Sequence, residues 1–216
     1  MSTDQPILHL TLLRHGESAG NAGSIYQGQK DYPLTEKGLL QAQLLGERWK
    51  AEGVTFDRIL SSPLMRALQT AEAIAACLST EIELDDQWME RDFGRLTGLT
   101  DDEAAERYPR PMFIGLYDPI AVTGESQWGL YLRAGRAVQE LTRRPPGSYL
   151  VVSHGGILNM VMHAILGVAP TPNFQGPHFP FRNTSFARLS YRPVDHIWRL
   201  ESFNDQQHWE NYSPGI

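Results

Sequence analysis

Two short apolar runs that lie far apart in the chain are followed by nearly the same three residues. Residues 7–13 (ILHLTLL) lead into residues 14–16 (RHG), and residues 149–152 (YLVV) lead into residues 153–155 (SHG). Short, mostly apolar runs are typical of strands that are covered on both faces of a parallel sheet. Ligands of such sheets bind beyond the carboxyl ends of the strands. The pattern therefore predicts two strands that bring their histidines to the same edge.

Helical and strand-like patterns alternate along the rest of the chain. Helices are predicted over residues 35–53, 62–78, 125–142 and 156–166, with a short helix after a capping box at 100–103. Further strands are predicted over residues 58–60, 81–89, 185–191 and 197–203, the last two as a hairpin. Strands that alternate with helices indicate a sheet covered by helices on both faces. We therefore expect an α/β fold, a three-layer α/β/α sandwich with a largely parallel central sheet, as a single domain over residues 1–216.

Residues with strong capping preferences define the helix ends. Thr35 is the expected N-cap of the first helix, and Gly53 its C-terminal stop. Ser62 is the expected N-cap of the second helix, with Pro63 at its first position. The stretch 108–124 is rich in Pro, Gly and aromatic residues, and we expect it to be irregular.

The charge balance limits the partners of the chain. The 25 acidic residues outnumber the 19 basic ones, which gives a net charge of −6. Without a basic run, this balance argues against binding to nucleic acid or to an anionic membrane. The single cysteine, Cys77, cannot form an intrachain disulfide, and residues 1–6 lack the features of a signal peptide. We therefore expect a cytoplasmic location.

Several common catalytic motifs are absent from the sequence. It contains no serine-hydrolase elbow, no P-loop, no dinucleotide-binding glycine motif, no H-E-x-x-H and no C-x-x-C. Five other chemically capable residues fall at predicted strand ends or helix starts: Arg14, His15, Arg66, Glu90 and His154. Together they would form a positive pocket that suits a phosphoryl group, because Arg forks match phosphate oxygens and an imidazole can attack phosphorus.

Each of these residues also has a plain structural interpretation. A histidine at a strand end is often only hydrogen-bonded, Glu90 fits a solvated turn, and Arg66 fits an ion pair with Glu72. In the catalytic interpretation, Glu90 is the general acid that protonates the leaving alkoxide and then accepts a proton from the attacking water. No metal or other cofactor is expected, since Arg and His would supply the positive charge.

Three segments carry a resemblance to a known family. Residues 12–18 (LLRHGES) with Asn21, residues 61–71 (SSPLMRALQTA) and residues 151–156 (VVSHGG) resemble the conserved blocks of the histidine phosphatase superfamily. This family is also called phosphoglycerate mutase-like, and the likeness is to its larger branch. It extends over about residues 8–191, most of the chain.

The resemblance implies a role for each matching position. His15 would be the nucleophile that becomes phosphohistidine, and Glu90 would be the proton donor. The groups that would bind or orient the phosphoryl group are Arg14, Arg66, His154, Asn21 and the Gly155 backbone. Gln27 and Gly28 fall where family members contact the substrate.

Two departures bear on the substrate. Residues 90–98 (ERDFGRLTG) are similar to the mutase form of their block, but mutases carry a longer insertion after it, with paired arginines that grip phosphoglycerate. Here Arg110 stands alone in the apolar stretch 108–124, which suits an apolar or aromatic leaving group if it forms a lid, and is otherwise simply core.

We therefore expect a metal-independent phosphatase that hydrolyses small phosphorylated metabolites. A phosphoglycerate mutase-type phosphotransferase is the alternative, and an inactive phosphate-binding or protein-binding member is a third. The oligomeric state stays open, with a homodimer among the options.

Overall fold

The computed structural model describes residues 7–210 and Tyr212. The absence of a signal peptide was predicted from residues 1–6, which lie outside this range. The strands are β1 (Leu8–Arg14), β2 (Arg58–Ser61), β3 (Ile82–Leu84), β4 (Gly147–Ser153), β5 (Phe186–Arg192) and β6 (Ile197–Asp205). The α-helices are α1 (Ala19–Ala22), α2 (Glu36–Ala51), α3 (Met65–Leu78), α4 (Asp101–Arg107), α5 (Gln127–Thr142), α6 (Gly155–Leu166) and α7 (Gln207–Glu210).

The six strands form one mixed sheet in the order β3-β2-β4-β1-β5-β6. The first four strands of the chain are parallel to one another, whereas β5 pairs antiparallel with both β1 and β6. The predicted α/β fold is thus confirmed, and so is the terminal hairpin. The two strands of the repeated sequence pattern, β1 and β4, are direct neighbours, with Arg14 opposite Ser153 at their carboxyl ends.

Helices cover both faces of the sheet and explain why β1 and β4 are apolar at nearly every position. Leu12 and Val151 point into a core formed with α5 and α6. Leu13 and Val152, the next residues, point into the opposite core with α2 and α3. Because successive side chains of a strand face opposite sides, both sides must be apolar when both are buried.

Two predicted boundaries were wrong, for local reasons. Ser62 does not cap α3 and Pro63 is not its first residue, because the helix begins at Met65 after Leu64, which makes no side-chain cap. The Ser62 amide still donates to Val152 O, which continues the pairing of β2. The strand expected over 81–89 ends at Leu84, because the Asp85 side chain accepts from the backbone N–H of Gln87 and starts a 3₁₀ turn.

Other predicted features agree with the structure. Thr35 accepts from the Gly38 amide as the N-cap of α2, and Gly53 follows that helix with φ +69°. The stretch 108–124 is irregular apart from a 3₁₀ turn at Ile120–Val122. Among the described residues, no helix combines the length and the apolar character that crossing a membrane requires. The extent of the domain, residues 1–216, stays a prediction.

Candidate active site

The carboxyl ends of β1 and β4 bring two histidines together. The His15 amide donates to Ser153 O at 2.9 Å, and this bond continues the strand pairing beyond the last paired residues. The His15 and His154 rings are almost fully buried, and their centroids lie 5.1 Å apart. The geometry follows directly from the register of the two parallel strands.

The contacts of His15 fix its tautomer. Its Nδ1 lies 2.6 Å from the carbonyl oxygen of Gly16, which can only accept a hydrogen bond, so Nδ1 carries the proton. Burial, together with the charges of Arg14 and Arg66, lowers the pKa of His15 well below 6.5. The imidazole is therefore neutral at pH 7, and its Nε2 carries an unprotonated lone pair.

His154 has the opposite tautomer. The Nε–H of Arg66 donates to its Nδ1 at 3.1 Å, so the proton lies on Nε2, which donates to the hydroxyl oxygen of Ser62 at 2.8 Å. Burial and the Arg66 charge lower the pKa of His154 well below 6.5. A proton on Nδ1 of His154 would also point at the Nε–H of Arg66 and break that hydrogen bond. His154 is thus a neutral, fully buried residue.

Arg66 connects three parts of the site. Besides His154, its guanidinium donates to Gly28 O at 2.8 Å and to Lys30 O at 3.0 Å. Within the part of the chain that the structure describes, Arg66 makes no ion pair with Glu72. Burial lowers the pKa of Arg66 to about 10, so the group is charged at pH 7.

Arg14 is a second buried cation with donor capacity left over. One of its terminal nitrogens donates to Phe181 O at 2.7 Å. Its Nε is buried and has no partner among the described residues. Burial lowers the pKa of Arg14, and the Glu90 carboxylate opposes that shift. A bound anion would satisfy the buried Nε–H group.

Glu90 is held at the start of α6 and is not a solvated turn charge. Its carboxylate accepts from the backbone N–H groups of Arg91 at 2.8 Å, of Gly156 at 3.1 Å and of Ile157 at 3.1 Å. A helix N-terminus attracts an anionic group in this way. Position 156 requires glycine, because a Cβ there would lie 2.5 Å from a Glu90 oxygen.

The predicted site residues converge on a pocket of about 330 Å³. Those that line it are Arg14, His15, Asn21, Gln27, Gly28, Arg66, Glu90 and Gly155. His154 is not on the wall and lies directly behind it. Ser18, the N-cap of α1, anchors two of these side chains: its backbone N–H donates to Asn21 Oδ1 at 3.2 Å, and its hydroxyl donates to Gln27 Oε1 at 2.8 Å.

Sequence reasoning missed Tyr26, Phe93 and Asp101, which also line the pocket. An antiparallel bridge between Ile25 and Thr100 brings Tyr26 beside Asp101. Burial and the Asp101 carboxylate raise the pKa of the Tyr26 hydroxyl. Contacts between two loops leave no periodic pattern in a sequence, so no signal could have revealed this one.

A second, larger cavity of about 630 Å³ adjoins the pocket. Tyr26 and Asp101 line both spaces, and α4 and the stretch 108–122 form most of the remaining wall. Phe113 lines this cavity while remaining 64% exposed, so the stretch behaves as a cover and not as core. Arg110 donates to Asn173 O at 2.8 Å and lies over the Phe174 ring.

No cluster of three or more His, Cys, Asp or Glu side chains within residues 7–210 is arranged to hold a metal ion. The charged groups that line the pocket are two arginines, Arg14 and Arg66, and two carboxylates, Glu90 and Asp101, with the two neutral histidines beside them. Such a pocket can bind a phosphoryl group and present a nitrogen nucleophile to it.

The chain is similar to known proteins along nearly all of its length. The probable phosphoglycerate mutase GpmB of Salmonella paratyphi A is 35% identical over 211 residues, which cover 94% of this chain and 95% of that one. A mycobacterial glucosyl-3-phosphoglycerate phosphatase in complex with VO3 superposes with a TM-score of 0.77 at 27% identity, covering 91% and 98% of the two chains.

A phosphoserine phosphatase of Entamoeba histolytica in complex with 3-phosphoglyceric acid gives a TM-score of 0.74 at 28% identity, covering 93% and 98%. Residues 10–206 match the sequence profile of the histidine phosphatase superfamily (branch 1). Its relatives and structural neighbours thus include both phosphatases and mutases. The chain belongs to the histidine phosphatase superfamily.

Proposed function

We propose that this protein is a metal-independent phosphatase that hydrolyses phosphate monoesters through a phosphohistidine on His15. The observation that carries the proposal is the fixed tautomer of His15. Its hydrogen bond to Gly16 O leaves the Nε2 lone pair free, in a pocket lined by Arg14 and Arg66. A nitrogen nucleophile beside two cations is what attack on an anionic phosphoryl group requires.

In the first step, Nε2 of His15 attacks phosphorus while the bond between phosphorus and the ester oxygen breaks. When the negative phosphoryl group binds beside it, Glu90 takes up a proton, and it gives this proton to the ester oxygen, so the leaving group departs as a neutral alcohol. Arg14 and Arg66 hold the phosphoryl oxygens, and Arg14 has an unused Nε–H for this purpose. His154, which holds the Arg66 fork from behind, acts through that arginine.

In the second step, water attacks the phosphohistidine. Glu90 now accepts a proton from the water as the new P–O bond forms and the N–P bond breaks. Inorganic phosphate and the free His15 imidazole result, and Glu90 is again protonated for the next cycle. Asn21, Gln27, Gly28 and the Gly155 backbone surround the substrate in this account.

The adjoining cavity supports hydrolysis of esters with apolar or aromatic leaving groups. Its wall is mostly apolar, and it begins at Tyr26 and Asp101, at the edge of the phosphate pocket. The Asp101 carboxylate would repel a second anionic group on a substrate. Arg110, the one arginine of the cover, lies over the Phe174 ring and donates to Asn173 O.

A mutase-type phosphotransferase is the second candidate, and the 35% identity to a probable phosphoglycerate mutase favours it. A mutase must keep water away from the phosphohistidine while the doubly anionic molecule reorients in the pocket. The open, apolar cover with a single arginine supports hydrolysis instead. The third alternative, an inactive binding protein, is opposed by the full set of reactive groups in the pocket.

The test is hydrolysis of p-nitrophenyl phosphate in the presence of EDTA. We expect turnover by the wild type, loss of at least about a thousandfold in His15→Ala, and normal activity in His9→Ala, which removes an exposed histidine of the same strand. Comparable turnover in His15→Ala, or loss of activity with EDTA, would contradict the proposal. Mutase activity on 3-phosphoglycerate, assayed beside a panel of metabolite phosphates, separates the two candidates.

A further inference from the structure

The backbone that carries Glu90 is held in place by side chains. After β3 the chain passes through a 3₁₀ turn, and the carbonyl oxygens of residues 87–90 all receive side-chain donors. Ser153 Oγ donates to the oxygen of Trp88 at 2.6 Å. Arg133 donates to the other three oxygens, those of Gln87 at 2.9 Å, Met89 at 2.6 Å and Glu90 at 3.2 Å. One guanidinium therefore fixes most of this segment.

A carboxylate on the other side orients the guanidinium. Glu125 accepts from Arg133 at 3.0 Å and 2.7 Å in a two-point contact, and both side chains are only 19% exposed. With these bonds Arg133 uses all five of its N–H groups. The Glu125 backbone is itself tied to the residues after Glu90, because its N–H donates to Asp92 O at 2.8 Å.

Arg133 also lies on the helix that supports the other contact of Glu90. It belongs to α5, which packs against α6, and the first N–H groups of α6 hold the Glu90 carboxylate. The backbone and the carboxylate of Glu90 are thus both held by contacts to the same pair of helices, α5 and α6. A lysine at position 133 could not reproduce this, because it has a single nitrogen where the contacts need a planar fork.

We propose that Arg133, oriented by Glu125, is a positioning residue for the general acid Glu90. The proposal rests on the acid role of Glu90 in the proposed function. Displacing a catalytic group by about 1 Å can cost about a hundredfold in rate. Loss of the Arg133 contacts would therefore slow proton donation to the leaving group and leave phosphate binding by Arg14 and Arg66 intact.

The experiment measures kcat and KM with two substrates that differ in their need for the acid. Ethyl phosphate has a poor leaving group, whereas p-nitrophenyl phosphate leaves readily without a proton. For Arg133→Met we expect kcat/KM, which reports phosphoryl transfer to His15, to fall about 10- to 100-fold with ethyl phosphate and less than about threefold with p-nitrophenyl phosphate. KM should change less than about twofold with either substrate, and Arg133→Lys should show the same selectivity.

Arg144→Met is the matched control. Arg144 follows α5 and makes a two-point ion pair with Glu83 of β3, so its removal breaks a similar contact without touching the carbonyls of residues 87–90. We expect it to stay within about twofold of the wild type with both substrates. A selective effect in Arg144→Met equal to that in Arg133→Met would overturn the proposal.

A double variant separates positioning from general structural damage. If Arg133 acts through Glu90, then Arg133→Met should slow ethyl phosphate hydrolysis no further once Glu90→Gln is present. The proposal would be overturned if the losses from Arg133→Met and Glu90→Gln multiplied in the double variant. It would also be overturned if Arg133→Met lost activity equally with both substrates, or lost none with ethyl phosphate. If Arg133→Met does not fold, Arg133→Lys decides by the same comparison. The proposed function fails separately, if His15→Ala hydrolyses p-nitrophenyl phosphate like the wild type.

Discussion

His15 and His154 lie with their ring centroids 5.1 Å apart and carry their protons on opposite nitrogens. The Gly16 carbonyl requires a proton on Nδ1 of His15, whereas the Arg66 donor excludes one from Nδ1 of His154. Because burial and the nearby arginines lower the pKa of both residues, the pair stays neutral at pH 7. In the proposed mechanism His15 therefore needs no base to activate it.

The acid role of Glu90 predicts a dependence on the leaving group. In Glu90→Gln, hydrolysis of ethyl phosphate should fall by at least about a hundredfold, because the alkoxide can no longer receive a proton. Hydrolysis of p-nitrophenyl phosphate should fall less than about tenfold. Values of kcat/KM with both substrates check this, because they report phosphoryl transfer to His15 and not the later hydrolysis of the phosphohistidine. Glu106→Gln is the control for loss of an exposed acid. Equal losses would remove the acid role.

The three contacts of Arg66 predict that lysine cannot replace it. Arg66→Lys keeps the charge but cannot serve His154, Gly28 O and Lys30 O together. We expect inorganic phosphate to inhibit at least about tenfold less tightly, and the free energy of unfolding to fall by about 1–3 kcal/mol. Inhibition constants and urea unfolding measure the two effects. Arg58→Lys, at a far more exposed arginine, should match the wild type in both.

The buried side chain of His208 should make the folded protein less stable in acid. It is buried with its Nε2 at 3.0 Å from the Thr184 hydroxyl, and burial, together with the Arg48 charge, lowers its pKa from 6.5 to about 4. Between pH 6.5 and pH 4 the unfolded chain binds this proton more readily than the folded chain does. The contribution of the neutral His208 to the free energy of unfolding is therefore complete above pH 6.5 and is lost as the pH falls toward 4. From pH 7 to pH 5 this residue should cost about 2 kcal/mol.

Urea unfolding of the wild type and of His208→Gln at both pH values measures that difference. His15 and His154 act in the same direction, so the variant should retain part of the pH dependence and lose about 2 kcal/mol of it. The same substitution at the exposed His9 is the control for removing a histidine from the surface. A His208→Gln protein with the wild-type slope would contradict the prediction.

Filling the second cavity should narrow the choice of substrate. Ala105 of α4 lines it, and Ala105→Trp would occupy part of its 630 Å³. We expect kcat/KM to fall at least about tenfold for 1-naphthyl phosphate and less than about threefold for methyl phosphate. Ala51→Trp, at the exposed end of α2, is the control. If 1-naphthyl and methyl phosphate lose activity equally, the cavity does not receive the leaving group.

Local signals in the sequence were enough to predict most of the fold. The apolar runs of β1 and β4, and the Thr35 cap, each depend on burial or on bonds to near neighbours. The end of β3 at Leu84 was missed because the turn formed by Asp85 overrides a strand-like composition.

For the site, the sequence pointed to the residues at strand ends but not to those brought in by tertiary contacts. The bridge between Ile25 and Thr100, which creates the shared wall at Tyr26, joins segments 75 residues apart. Arg133 reaches the residue 87 carbonyl across 46 positions, and nothing in its own helix marks it out. Such contacts depend on the packed fold and leave no local pattern.

The central claim is that His15 becomes covalently phosphorylated. Wild-type protein mixed with ³²P-labelled p-nitrophenyl phosphate and quenched in alkali within milliseconds should carry label that is stable in base, is lost in acid, and maps to the peptide containing His15. His15→Ala should carry none, and the label should accumulate in Glu90→Gln because hydrolysis of the intermediate is slowed. Burst-free turnover with no protein-bound label, or label on any other residue, would contradict the account.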